Sequence, residues 1–474
     1  MFRVAAAVCL VLLLVHCAGP PQYDLVIVNG RVMDPESGLD GIRNVGIRGE
    51  SIAAISEDAL SGAKVLDASG QVVAPGFIDL HQHGHSPDNY KAQIHDGITT
   101  ALELEIGVED IASWYGEREG KTPVNFGASI SHPYSRNLAV LGSNPGLEGE
   151  ALMKPLDAGQ LEQLKHLIRR GLAEGAPAVG FGLAYTPGAT TEEVVEIFRV
   201  AAEHNANCHV HMRTSEPPGF ANIQEVLDAS KETGAPLHIV HINSSASTRI
   251  PQYLDIIAGA QGRGEDVTTE CYPYNRGSTL IQSHLFNDWR TYDDERLAGY
   301  IWVETGATLS RETFGKYREQ GGTIISPPSY SEENLRTAVA SPITMIASDG
   351  MWLDKGRAHP RSFGTYARIL GRYVREQKAL SLMDALRKMS LAPAKRLERR
   401  APMMKKKGRL SVGADADIVV FDPDTVIDKG TFEDPAHYSG GIRHVLVNGR
   451  VTLEDAAFVE GAAAGMAVKA PPQT

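Results

Sequence analysis

Cysteine is scarce in this 474-residue chain, and no two of its four cysteines stand as C-x-x-C. That absence excludes a structural zinc ribbon. Cys9 and Cys17 lie near the N-terminus, while Cys208 and Cys271 sit in apolar, strand-like runs that suit buried thiols. A disulfide between these last two stays open at the level of sequence. Long apolar runs are missing beyond the N-terminus, so no later segment reads as a membrane-spanning helix. A stripe of lysine and arginine is missing too, and the formal net charge is −12. Phosphate binding needs clustered positive charge, so nucleic acid is excluded as a partner. The basic runs Lys395-Arg396, Arg399-Arg400 and Lys405-Lys406-Lys407 are short and read as solvated faces near a helix end. There is no internal repeat, and no low-complexity segment beyond an Ala/Pro-rich tail. A chain that is 42% hydrophobic and 22% charged has the balance of a folded globular protein. Its length suits one large barrel with a smaller domain.

The N-terminus carries a pattern of its own. Met1-Phe2-Arg3 is a short positive region, and Val4 to Val15 is an apolar run too short to span a bilayer but suited to a signal segment. Leu14-Val15-His16-Cys17-Ala18-Gly19 resembles a bacterial lipobox, with His16 where a small residue is usual. The expectation is a leader over residues 1–21 and an exported protein. It would be periplasmic, or a membrane-anchored lipoprotein with a lipid anchor at Cys17.

The mature chain opens with Asp24-Leu25-Val26-Ile27-Val28-Asn29-Gly30-Arg31-Val32, read as strand, Asn-Gly turn and strand. His444-Val445-Leu446-Val447-Asn448-Gly449-Arg450-Val451 mirrors it, and Ala416 to Asp422 adds another strand. The shared pattern predicts a small β-sandwich domain built from both termini, 22–74 with 410–465. Between them lie eight strand candidates: Val73–Leu80, Thr99–Glu105, Asn125–Ser131, Ala178–Ala184, Asn207–Met212, Pro236–Ile242, Asp266–Tyr274 and Ile343–Ser348. Helical patterns separate most of them. Leu161, Leu164, Ile168 and Leu172 share one face, and Thr190-Thr191-Glu192-Glu193 reads as a capping box. The predicted fold class is α/β, a (β/α)₈ TIM barrel over 75–409. The stretch around 280–340 is longer than one crossover needs and is expected to be an insertion covering the barrel mouth.

Barrel enzymes carry their chemistry where strands end. The first candidate strand runs into His81-Gln82-His83, and two histidines at i, i+2 on extended chain point the same way. The fifth reaches His211, the sixth His241 and the eighth Asp349. One such histidine alone is most often a core residue. Four histidines and an aspartate converging on a barrel mouth define a metal site, and imidazoles with carboxylates suit zinc, as one ion or two. His209 and His238 lie deeper in their strands and read as core or supporting groups. His85 and His95 read as ordinary loop or helix residues.

Asp79-Leu80-His81-Gln82-His83, Gly97-Ile98-Thr99-Thr100, His211-Met212-Arg213, Val240-His241 and Ser348-Asp349-Gly350 resemble the amidohydrolase superfamily. Several further segments are similar to its N-acyl-D-amino-acid deacylases (D-aminoacylases). They are Gly182 to Gly188, Tyr272-Pro273-Tyr274 with Gly277-Ser278-Thr279, and above all His359-Pro360-Arg361-Ser362-Phe363-Gly364-Thr365-Tyr366. The resemblance implies His81, His83 and Asp349 at one metal position and His211 and His241 at the other. It places Tyr185, Tyr274 and Arg361 around the substrate. Two positions depart from the family. Its metal-binding cysteine after the second strand aligns with Ile106, which cannot ligate, so Glu105 is the expected replacement, with Glu103 as the alternative. The alternative for both is a structural pair with Lys, Arg or His inside the barrel. Its lysine two residues beyond the sixth-strand histidine is Asn243, which is carried as a substrate-binding candidate. No lysine stands in the fourth strand, where dihydroorotases and hydantoinases bridge their metals.

The resemblance implies a metal-dependent hydrolase of linear amide bonds that deacylates N-acyl-D-amino acids, with zinc activating a water and Asp349 as general base and acid. The partner expected is a small-molecule N-acyl amino acid; the oligomeric state is unknown from sequence. Competing readings are a dipeptidase or cyclic amidase of the same superfamily, and a non-catalytic exported binding protein.

Overall fold

The computed structural model describes residues 22–213 and 218–471, so the expected leader lies outside the described residues. Eight parallel strands form the central sheet: β1 (Phe77–Asp79), β2 (Ile98–Val108), β3 (Asn125–Ser131), β4 (Ala178–Gly182), β5 (Asn207–His211), β6 (Leu237–Ile239), β7 (Val267–Cys271) and β8 (Thr344–Ile346). They are hydrogen-bonded in sequence order. A parallel bridge between Gln82 and Gly350, just past β1 and β8, joins the first strand to the last and closes the barrel. Helices separate most neighbouring strands, as parallel pairing requires. Helix Ala158–Ala173 is typical. Asp157 and Gln160 form a capping box at its start, and Leu164, Leu167, Ile168 and Leu172 form its buried stripe.

Sheet pairing alters several expectations. Val73–Leu80 is two strands. Val72–Pro75 belongs to the small domain, pairing with Ile418–Phe421, and β1 begins at Phe77. Gly76 marks the break: its N–H donates to the Asp417 carbonyl, and a Cβ there would meet Thr99 at 2.2 Å. Asn29-Gly30 is not a turn. Tyr23–Asp34 runs as one strand with an irregularity between Ile27 and Gly30, and a Cβ on Gly30 would strike Val73 at 2.4 Å. The matching Asn448-Gly449 does turn the chain, between Ile442–Val447 and Arg450–Glu454. The small domain is one continuous nine-stranded sheet drawn from both ends of the chain. Leu25, Ile27, Val45, Ile47, Ile418 and Val420 lie in its core.

Thr190 caps helix Thr191–Glu203 through the Glu193 N–H, but Glu193 does not complete a capping box. Its carboxylate turns inward to His132, at 2.9 Å, and Arg136. Lys407 is not a solvated lysine. Its Nζ is buried against Asp417 at 2.7 Å and Asp415 at 2.9 Å, where the small domain meets the barrel. Arg396 and Arg400 are buried as well. Cys208 and Cys271 are both free, buried thiols. The insertion forms a small sheet of Ser278–Leu280, Thr323–Ile325, Ile301–Trp302 and Ala307–Thr308. It has its own core of Phe286, Trp289, Trp302 and Phe314. Ser278, Thr279, Leu280, Leu285 and Ser326 of this element face a cavity at the barrel mouth.

Candidate metal centre

The cavity has a volume of about 720 Å³, and His83, Glu105, His211, His241 and Asp349 line it. That size suits a small organic substrate. Its floor is built where the strands end. His81 and His83 follow β1, Glu105 lies in β2, His211 ends β5, His241 follows β6 and Asp349 follows β8. His241 (φ 30) and Asp349 (φ 51) both adopt left-handed backbone that L-residues rarely take. Such strain at two converging strand ends is characteristic of sites whose side chains must be aimed.

Glu105 sits at the centre. Its Oε2 lies 3.2 Å from His81 Nε2 and 3.2 Å from His83 Nε2. Its Oε1 lies 2.6 Å from His211 Nδ1 and 3.1 Å from His241 Nε2. Asp349 Oδ1 is 3.5 Å from both His81 Nε2 and His83 Nε2. Ligands about 2.0–2.1 Å from a tetrahedral zinc stand roughly 3.3–3.4 Å apart by geometry. The histidine–carboxylate separations among His81, His83, Glu105 and Asp349, 3.2–3.5 Å, lie close to those values. His211, His241 and the other oxygen of Glu105 make a tighter three-donor group beside them. The donor set therefore fits zinc, and one carboxylate faces both positions.

Three of the imidazoles are held from behind. His81 Nδ1 meets Glu270 Oε1 at 2.7 Å, His83 Nδ1 meets Glu103 Oε2 at 2.7 Å, and His241 Nδ1 meets Ser245 Oγ at 3.2 Å. Such partners fix the tautomer and orientation of ligating imidazoles. Glu103 thus supports His83, while its other oxygen accepts the Gly107 N–H at 3.2 Å. Glu270 continues to His238 Nε2 at 3.0 Å, and His238 Nδ1 meets Thr268 at 2.7 Å. His209 packs against the His238 ring.

Charge is uneven in this space. Burial opposes protonation of His81, but Asp349 and Glu105 push its pKa well above the ordinary value, and Glu103, Asp349 and Glu105 do the same for His83. Burial also opposes ionisation of Glu105, yet His81, His211 and His241 hold its carboxyl well below the usual range. Arg361, His81 and His83 likewise overcome burial to keep Asp349 low. Carboxylates that hold protons on imidazoles this strongly also favour a divalent cation among them.

The substrate-side candidates separate. Tyr185 lines the cavity, with its hydroxyl 2.9 Å from Thr279 Oγ1. Arg361 lines it as well. Its Nη2 donates to Asp349 Oδ1 at 2.8 Å and to the Ser278 carbonyl at 3.3 Å, while Nε and Nη1 have no partner in the protein. Tyr274 does not reach the cavity; its hydroxyl points to the Pro360 carbonyl at 3.5 Å. Tyr272, two residues earlier, is the tyrosine that does, its ring beneath the Arg361 guanidinium at 4.6 Å. The chain leaves extended conformation after Cys271, so strand alternation does not carry over to this pair. Asn243 is also removed from the cavity. Its side chain is spent on the Tyr272 carbonyl and the Tyr330 hydroxyl, bonds that fix Tyr272 in place. His85 stands on the cavity wall, its Nε2 2.8 Å from the Gln82 carbonyl, with its pKa lowered to about 3 by burial and by Arg118.

A sequence model of the Amidohydrolase family matches residues 326–453. An N-acyl-D-glutamate deacylase of Alcaligenes xylosoxydans xylosoxydans is 32% identical, over 90% of this chain and 93% of its own. A D-aminoacylase of the same organism is 30% identical, over 92% of this chain and 96% of its own. Among solved structures, the N-acyl-D-glutamate deacylase of Bordetella bronchiseptica superimposes with a TM-score of 0.81 and 26% identity. It covers 94% of this chain and 100% of its own, and was crystallised with zinc and a phosphonate inhibitor that mimics the reaction's tetrahedral intermediate. The chain belongs to the amidohydrolase family, among the N-acyl-D-amino-acid deacylases.

Proposed function

We propose that this protein is a zinc-dependent hydrolase that cleaves the linear amide of N-acyl-D-amino acids, releasing a carboxylate and a D-amino acid. The observation that carries this reading is the Glu105 carboxylate, set between two histidine pairs with Asp349 beside the first. His81, His83, Glu105 and Asp349 would hold one ion, and Glu105, His211 and His241 a second. Zinc at such a site polarises the scissile carbonyl and acidifies the attacking water.

The remaining steps belong to the chain's own groups. Asp349 is ionised beside Arg361 and opens onto the cavity, so it takes the proton of the attacking water at a carboxylate oxygen and returns it to the departing amine nitrogen. Arg361, whose Nε and Nη1 are unpartnered, supplies the positive charge and a free donor that suit the α-carboxylate of the amino acid. Tyr272 and Tyr185 supply hydroxyls at the wall for the developing oxyanion and for substrate placement. The insertion roofs the cavity and limits water around these groups.

Elemental analysis of the purified protein, together with chiral chromatography of products from N-acetyl-D-amino acids, their L-forms, dipeptides and cyclic amides, tests this. Tightly bound zinc with turnover confined to the D-forms is expected. Cleavage of dipeptides or cyclic amides in preference, or no bound metal, refutes it. The N-terminal pattern of Arg3, the Val4 to Val15 run and Cys17 supports export to the periplasm, with Cys17 as a lipid attachment site. Mass spectrometry of the mature N-terminus checks it: a diacylated Cys17 is expected, and an intact Met1 refutes export.

A further inference from the structure

Arg361 opens helix Arg361–Arg368, and that helix breaks after its first turn, where Gly364 (φ −153, ψ 28) leaves helical backbone. A Cβ on Gly364 would meet the Asp428 Cβ at 2.7 Å, so a residue without one lets the two segments pass. The first turn is tied to the chain beyond β8: Met351 N–H donates to Ser362 Oγ at 2.9 Å, and Arg361 N–H to His359 Nδ1 at 3.1 Å. The second turn is tied to β1. Tyr366 stacks on Phe77 at 5.2 Å, and its hydroxyl donates to the Ile78 carbonyl at 3.2 Å. The break therefore sets the angle at which the first turn carries Arg361 to the cavity.

One buried carboxyl stands at this break. Asp96 is 2% exposed and follows helix Pro87–His95. Its Oδ2 accepts the Tyr366 N–H at 2.8 Å and its Oδ1 the Ala367 N–H at 2.9 Å. Ser439 Oγ lies 2.8 Å from Asp96 Oδ1 and 3.1 Å from the Phe363 carbonyl. Asp96 and Ser439 together thus span Gly364, with Phe363 held on one side and Tyr366 and Ala367 on the other. Ser439 and Asp428 both belong to residues 422–441, an excursion of the small domain between Ile418–Phe421 and Ile442–Val447. Asp428 also accepts from Arg368 Nη1 at 2.8 Å. Asp96, Asp428 and Ser439 do not line the cavity, so any influence on substrate passes through the helix.

On the deacylase reading, we infer that Asp96 is a positioning residue: with Ser439 of the small domain it fixes the break at Gly364 and so aims Arg361 at the α-carboxylate of the substrate. The small domain would then serve the reaction through this excursion as well as packing against the barrel.

Asp96→Asn puts an amide donor against one of the two backbone N–H groups and keeps the size of the side chain. The assay compares the zinc-loaded full chain on the N-acetyl-D-amino acid it turns over best and on the same amide without its α-carboxylate (for N-acetyl-D-leucine, N-isopentylacetamide). Misplacing a positioning group by about 1 Å costs up to about 100-fold. For Asp96→Asn, kcat/KM on the amino-acid substrate is expected to fall by about tenfold, mainly through KM. The analogue, which gives Arg361 nothing to hold, is expected to stay within about twofold of wild type, as is the zinc Kd. Ser439→Ala leaves the carboxyl in place and is expected to lower the amino-acid substrate alone, by about threefold. Thermal melts report folding, and Ser439→Ala decides the matter if Asp96→Asn does not fold. Equal losses on both amides in a folded variant mean a purely structural role and overturn the inference; so does no loss on either. Both outcomes leave the deacylase reading intact, whereas a wild-type protein that hydrolyses no N-acetyl-D-amino acid overturns that reading and the inference with it.

Discussion

Glu270→Gln is the sharpest test of how the metal centre is held. Glu270 is 1% exposed, in β7, and clamps His81 Nδ1 at 2.7 Å and His238 Nε2 at 3.0 Å with its two oxygens. Burial opposes its ionisation, but His238 and His81 hold its carboxyl far below the usual range. Both bonds are therefore charge-assisted. Glutamine keeps one acceptor, turns the other into a donor facing an imidazole nitrogen, and removes the charge. Hydrogen bonds to charged groups contribute about 1.5–3 kcal/mol against roughly 1 kcal/mol for neutral ones. Replacing a partner behind a ligating histidine costs about 10–100-fold in metal affinity. That factor is about 1.4–2.8 kcal/mol, the same size as the bond loss. Competition between the apoprotein and a zinc indicator measures the Kd directly, without turnover. Thr268→Val is the control: it breaks only the far end of the chain, at His238 Nδ1, and is expected to change the Kd by less than about threefold. A folded Glu270→Gln protein with the zinc Kd of wild type would refute the claim that Glu270 orients His81.

Two further expectations follow from the buried carboxylates. Asp349→Asn keeps an oxygen toward the histidines but loses the base, so zinc stays bound while kcat falls by about a thousandfold or more; zinc titration beside single-turnover kinetics separates the two effects. Glu193→Gln strands the buried Arg136 charge and is expected to cost about 3–5 kcal/mol in denaturant unfolding at neutral pH. Burial opposes ionisation of Glu193, but His132 and Arg136 hold its carboxyl below the ordinary value. Its contribution is thus complete above the unfolded pKa near 4.3 and is lost as pH falls through the folded one. Wild type should lose stability more steeply than Glu193→Gln on acidification below about pH 4, and parallel pH curves would refute the assignment.

The barrel was legible because its strands alternate with amphipathic helices and each strand is a short apolar run bounded by turn residues. Reading failed where a contact distant in sequence decided the outcome. Val73–Leu80 reads as one strand, yet Gly76 must pass under Thr99, so the segment divides between two sheets. Asn29-Gly30 carries a hairpin signal, but Val73 leaves no room at Gly30 and Leu39–Arg48 pairs along both halves of the strand. Lys407 looks like part of a solvated basic run, whereas Asp415, Asp417 and Asn448 enclose it.

The centre shows the same division. His81, His83, His211, His241 and Asp349 were readable because polar residues at the ends of apolar parallel strands collect at one face of a barrel. Glu105 was readable as a metal candidate because Ile106 cannot ligate and a carboxylate in an apolar strand needs a partner. That its two oxygens divide between two histidine pairs is a fact of tertiary geometry. So is the support from Glu270, 189 residues from His81, and the choice of Tyr272 over Tyr274 at the wall. Sequence alone determined the chemistry available, since residue type and strand period set which groups reach the barrel mouth. Only the folded structure decided which of them meet and which are spent elsewhere, because those contacts are set by closure of the barrel across hundreds of residues. It also turned Asn243 into a brace for Tyr272 and tied Arg213 to Glu225.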